Sequence, residues 1–163
     1  LRQAANELSP LEQLRSQLSP KGHAIQVRVY AEDPALNFQP CAGLLSQVIF
    51  PEVHQNLRID HWISSGIEVP AFFDPMLAKI IVHENNRDQA INSMQSTLAA
   101  TRLYGIETNL DYLQALLKDK TFVDAKITTR YLNQFIYQAA RIDVIQGGTQ
   151  TTIQDFPGRT GYW

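Results

Sequence analysis

The sequence predicts an α+β domain, an antiparallel sheet with helices packed against it. Three observations carry that expectation. Four stretches rich in β-formers fill the first half of the chain without helices between them, apolar residues recur at helical spacing from Ile91 onward, and 44% of the 163 residues are hydrophobic against 18% charged. Strands that follow one another without crossover helices pair antiparallel.

Ser9-Pro10-Leu11-Glu12 has the form of a capping box with proline at the first helical position, and Leu11, Leu14 and Leu18 recur at helical spacing until Pro20, predicting a short opening helix. From His23 to Tyr30 the period changes to two: Ile25, Val27 and Val29 alternate with Gln26, Arg28 and Tyr30, the pattern of a half-buried strand that Glu32-Asp33-Pro34 ends. Leu44 to Phe50, between Gly43 and Pro51, predicts a second strand. The run Leu57-Arg58-Ile59-Asp60-His61-Trp62-Ile63 predicts a third, with Leu57, Ile59, His61 and Ile63 on one face and Arg58, Asp60 and Trp62 on the other. Met76 to His83 supplies a fourth, with Lys79 and Ile81 opposite Ile80 and Val82, after a connection stiffened around Asp74 by Gly66, Pro70 and Pro75.

After Asn85-Asn86 the spacing turns helical. Ile91, Met94 and Leu98 form a stripe on a helix expected to run to about Tyr104, with Gly105 as its stop. A second helix starts at Thr108-Asn109-Leu110-Asp111 and carries Leu110, Leu113, Leu116 and Leu117. A third, capped by Thr128 or Thr129, carries Leu132, Phe135 and Ile136, and all three stripes are expected in the core. The tail from Ile142 changes character, with Gly147-Gly148 and Asp155-Phe156-Pro157-Gly158, and predicts the entry to another, β-rich domain. That divides the chain into residues 1–137 and a linker with the start of a further domain at 138–163. The chain opens at Leu1 and stops after a turn-rich stretch, so it is expected to be an excerpt of a longer polypeptide.

The bulk properties exclude several classes of partner. A formal charge of −2 and the lack of a basic stripe argue against nucleic acid. No apolar run reaches the roughly 18 to 20 residues needed to cross a bilayer, and no signal peptide opens the chain, so no membrane association and a cytoplasmic location are expected. Cys41, the single cysteine, has no internal disulfide partner and reads as a packing residue. His23, His54, His61 and His83 show no ligand spacing, so no metal site built from this chain alone is expected.

Arg58 is the candidate catalytic residue. A guanidinium stays charged at any working pH and offers five N–H donors in a planar fork, which suits a carboxylate, a phosphate or an enolate oxygen. On these residues alone, a solvated pair between Arg58 and Asp60 on an exposed face is the plainer alternative.

Six motifs in register bring in a family. Gly22-His23-Ala24-Ile25 with Arg28 and Ala31-Glu32-Asp33-Pro34, Phe38-Gln39-Pro40 with Gly43, Arg58-Ile59-Asp60, Phe73-Asp74-Pro75-Met76-Leu77-Ala78-Lys79, Arg87-Asp88 with Ala90, and Gly105-Ile106 with Thr108-Asn109 occur in the order and spacing of the C-terminal domain of biotin carboxylases. The chain resembles that domain, the closing part of ATP-grasp enzymes that carboxylate biotin, from Leu1 to about Phe135. The resemblance implies that Arg58 lies beside the ureido group of biotin and stabilises the enolate formed when the ring nitrogen is deprotonated. It implies a nucleotide contact at Thr129, whose position neighbours the adenine in the family and which is equally a routine helix cap. Asp74 and Lys79 are expected to hold the turn behind the site.

Cys41-Ala42-Gly43 departs from the family's usual Ser-Pro-Gly, and Val53-His54-Gln55-Asn56 lacks the common glycines before the arginine. The tail from Gly147 to Trp163 resembles the opening of the carboxyltransferase domain of urea carboxylases. The cofactors implied are biotin, ATP and Mg2+ or Mn2+, the last two held mainly by an ATP-grasp domain upstream. Biotin carrier and carboxyltransferase domains are implied downstream, with bicarbonate and urea as substrates. An acyl-CoA or pyruvate carboxylase is the alternative enzyme, and a non-catalytic assembly module the alternative of another class.

Overall fold

The structure, a computed structural model, describes residues 19–72 and 74–139, Arg15, and the backbone of residues 141–146 and 149–154. In chain order come β1 (His23–Tyr30), β2 (Glu32–Asp33), β3 (Gln39–Pro40), β4 (Gly43–Leu44), β5 (Gln47–Ile49), β6 (Leu57–His61), β7 (Glu68–Val69) and β8 (Met76–Glu84). They are followed by α1 (Arg87–Ala100), β9 (Arg102–Tyr104), α2 (Leu110–Lys118), α3 (Lys120–Val123), β10 (Arg141–Gln146) and β11 (Thr149–Gln154). The opening helix expected before Pro20 falls almost wholly outside the described residues, although Arg15 is helical.

β8 runs through the centre of a three-stranded antiparallel sheet in the order β1-β8-β6. Period-two alternation sorts its side chains. Val27 opposes Ile80 and Ile80 opposes Ile59, and with Ile25, Val29, Val82 and Leu57 they make one apolar face. α1 and α2 cover β1 from that side, and α1 also covers β8. α1 begins at Asn86, whose side chain accepts from the Gln89 N–H at 2.9 Å, and buries Ala90, Ile91, Met94 and Leu98 on one stripe. α2 buries Leu110, Tyr112, Leu113 and Leu117, while Leu116 is half-buried. The opposite face of the sheet carries Gln26, Arg28, Arg58 and Asp60, and among the described residues neither α1 nor α2 packs on it.

The stretch from Leu44 to Phe50 does not join this sheet. Its first part, β4, pairs with β7, and its second, β5, pairs with β9; fully buried Leu45 is the pivot between them. The Tyr30 end of β1 is bound by the side chain and backbone of Asn109. Buried Asn109 accepts from the Tyr30 N–H at 2.9 Å and donates through Nδ2 to the Arg28 carbonyl at 3.1 Å, while its own N–H donates to the Tyr30 carbonyl. These bonds satisfy the Arg28 carbonyl and both backbone groups of Tyr30, so strand pairing could not extend there.

α1 also ends earlier than its periodicity predicts. It stops at Ala100, where Thr101 caps it by donating from its N–H to the Leu98 and Thr97 carbonyls and from Oγ1 to the Thr97 carbonyl at 2.9 Å. Arg102 to Tyr104 then leaves as β9 and pairs with Gln47–Ile49 of β5. Gly105 is therefore not a helix stop. Its φ is +114°, and a Cβ there would collide with the Leu44 carbonyl, so the glycine permits the close approach of two backbones. Gly105→Ala is expected to destabilise the protein by about 2 kcal/mol, read as a lower thermal unfolding temperature.

The third predicted helix is absent. After the single turn of α3, Ala125 adopts φ 56°, and a 3-10 turn at Tyr131–Asn133 is the remaining helical element there. Leu132 is 54% exposed and Ile136 83% exposed, against the expectation that both are core. Phe135 and Tyr137 instead set their rings edge-on to Tyr112 of α2, each at 5.5 Å, and this seating on the tertiary core overrides the helical spacing. In the tail, β10 and β11 pair antiparallel.

Candidate functional site

Arg58 stands on β6, on the sheet face away from α1 and α2, with 70% of its side chain exposed. Leu57 and Ile59 point the other way into the core, which fixes the side from which Arg58 emerges. Its Nε donates to Asp60 Oδ1 at 2.9 Å, and Lys79 Nζ meets Asp60 Oδ2 at 3.1 Å. Asp60 and Lys79 are register partners across β6 and β8, and Lys79 is the register partner of Arg28 across β8 and β1. Arg28, Lys79, Asp60 and Arg58 therefore share one face and carry a net positive charge.

Hydrogen bonds from Arg58 and then Lys79 hold the Asp60 carboxyl below its ordinary range, and Asp60 raises the Arg58 guanidinium above its own. Both shifts favour the charged forms of Asp60 and Arg58. An anion approaching this face meets an always-charged planar donor with further cations behind it.

Beyond the end of β6, Trp62 lies half exposed, its indole N–H donating to the Met76 carbonyl at 2.8 Å. With Glu68, Pro70, Asp74 and Met76 it lines an open, largely apolar cavity. Asp74 Oδ1 accepts from the Met76 N–H at 2.9 Å and so holds the turn into β8 as expected. Lys79 does not: it reaches across to Asp60, beside Arg58.

Thr129 is exposed, on the turn that follows α3, and caps no α-helix, so the alternative of a routine cap fails. The side-chain hydrogen bond of Arg58 goes to Asp60 and does not join it to Thr129. Cys41 is half-buried and packs against the core. Among the described residues, no group of three or more His, Cys, Asp or Glu is placed to hold a metal ion, and no helix is long and apolar enough to cross a membrane.

Arg28 is the member of the cationic row that sequence reading left out. Its outward position in the alternating run was legible, but its neighbours depend on β8 lying between β1 and β6.

Comparison with known proteins agrees with this architecture. The profile of the biotin carboxylase C-terminal domain matches residues 26–134. Urea amidolyase of Saccharomyces cerevisiae is 39% identical over 163 residues, all of this chain and 9% of that protein. The crystal structure of the Kluyveromyces lactis urea carboxylase superposes with a TM-score of 0.70 at 43% identity, covering 88% of this chain and 12% of that one. The mitochondrial propionyl-CoA carboxylase alpha chain of Caenorhabditis elegans is 36% identical over 124 residues, 76% of this chain and 17% of that protein. The chain thus spans about a tenth of the length of the two urea-acting relatives. From the matched profile and the shared fold, it follows that this chain belongs to the biotin carboxylase C-terminal domain family.

Proposed function

We propose that this chain completes the biotin carboxylase site of an ATP- and biotin-dependent urea carboxylase. The placement of Arg58 carries the reading: an always-charged guanidinium, largely open to solvent, on a net cationic face that no described helix covers. Biotin, when bound, supplies a ureido group whose ring nitrogen takes up a carboxyl group. With biotin bound, Arg58 would donate to the ureido oxygen as negative charge develops there, and Lys79 and Arg28 would add positive potential from the same face. A preorganised donor of this kind acts through orientation and charge and needs no proton transfer of its own.

In this reading an ATP-grasp domain in the same polypeptide holds ATP, Mg2+ or Mn2+ and bicarbonate, and Thr129 borders the nucleotide with its exposed side chain. Residues 138–163 lead from the domain at 1–137 into a carboxyltransferase domain, which the separate pairing of β10 with β11 supports. There the carboxyl group, delivered by a biotin carrier domain, passes to urea and yields allophanate. The enzyme works in the cytoplasm, and the 163 residues alone are inert.

Urea is favoured as acceptor because the two urea-acting relatives are more alike to this chain than the propionyl-CoA carboxylase is. In the full-length protein, urea is expected to stimulate biotin-dependent phosphate release from ATP, and propionyl-CoA or pyruvate is not. Stimulation by the thioester or the keto acid in place of urea moves the chain to the other branch. Removing Arg58 tests the site itself, with loss of free-biotin carboxylation as the expected result.

A further inference from the structure

We propose that Asp60 is a positioning residue for Arg58, a carboxylate anchored from the neighbouring strand by Lys79 that aims the outer edge of the guanidinium at the reacting group. The inference rests on the proposed function and adds to it the part that makes Arg58 effective.

Arg58 is long and mostly exposed, so packing alone leaves its end free to sample many rotamers, and a donor that must meet a developing charge loses rate when it wanders. The restraint in the structure is the bond from Nε to Asp60 Oδ1. Because it engages the inner nitrogen, it restrains the guanidinium and leaves both Nη groups of this largely exposed side chain unengaged by Asp60. Asp60 is itself held. Its other oxygen receives Lys79 Nζ from β8, so the carboxylate cannot rotate about its Cβ–Cγ bond without giving up one partner.

The same geometry separates orientation from neutralisation. Asp60 contributes one negative charge to a row with Arg28, Lys79 and Arg58, so the face remains cationic after both ion pairs form. A carboxylate bonded to both Nη groups would instead have occupied the fork that an incoming oxyanion needs.

The test uses the full-length protein and carboxylation of free biotin. Asp60→Ala is expected to lower kcat about ten- to a hundred-fold while the thermal unfolding temperature stays unchanged. Asp60→Asn falls between, because its amide oxygen can still accept from Arg58 Nε but its amide nitrogen cannot accept from Lys79, and Asp60→Glu, which keeps the charge, recovers part of the rate. In an Arg58→Ala background, Asp60→Ala is expected to cost nothing further, since a residue acting through Arg58 has nothing left to position. A wild-type kcat for Asp60→Ala, or a full additional loss in the Arg58→Ala background, overturns the proposal. Failure of the underlying reading looks different: Arg58→Ala itself then retains the wild-type rate.

Discussion

Arg58→Ala in the full-length protein is expected to reduce carboxylation of free biotin by about a hundred- to a thousand-fold, the effect of removing one preorganised donor from a developing oxyanion. The fold is expected to survive, because the side chain is 70% exposed and the core contacts of β6 come from Leu57 and Ile59. Circular dichroism and thermal unfolding should match the parent protein. Arg58→Lys discriminates further. It keeps the charge but replaces a planar fork by a point charge on a shorter reach, and it cannot reproduce an Nε–Asp60 bond together with two outward donors. Its rate should therefore lie well below wild type and above that of the alanine variant. A wild-type rate in Arg58→Ala would remove this residue from the mechanism and leave the face as a solvated ion-pair array.

Ile80→Ala is expected to have the largest effect on stability. Ile80 is fully buried in the central strand, opposite Val27 on one side and Ile59 on the other, on the face that α1 covers. Truncating it removes buried apolar surface and leaves a cavity that strands on both sides prevent from collapsing, which costs about 2–5 kcal/mol. Domain stabilities of about 5–15 kcal/mol make that a large share of the total. A marked drop in the thermal or urea midpoint, with Ile80→Val losing only about 0.5–1.5 kcal/mol, is the expected pattern. Equal losses for the two variants would argue against close packing at this position.

These two positions are neighbours in register space, and the chain announces both. The alternation of Leu57, Arg58, Ile59 and Asp60 was enough to put Arg58 outward and its apolar neighbours inward, and the Ile80 and Val82 face was legible for the same reason. The stripe of Ile91, Met94 and Leu98 was equally plain, as was the start of α1 after Asn86. Where the periodic pattern was weaker or shared with another structure, it misled. Leu132 and Ile136 look like a helical stripe, but Phe135 and Tyr137 gain more by meeting Tyr112. Arg102 to Tyr104 extend the helical pattern of α1, yet they pair with β5.

Local order of this kind is written in the chain because side-chain direction repeats every two residues in a strand and every 3.6 in a helix, so burial can be read from spacing. Partner choice is not written there. Asn109 binds the end of a strand 79 residues earlier, and Lys79 meets Asp60 only because β8 takes the centre of the sheet. Such contacts form when long loops close and many weak interactions are satisfied together, a balance that no short window of residues contains. The chain alone therefore identified the guanidinium and the side on which it emerges, while the folding of distant segments onto one another placed Asp60 between two cations and left the fork of Arg58 open.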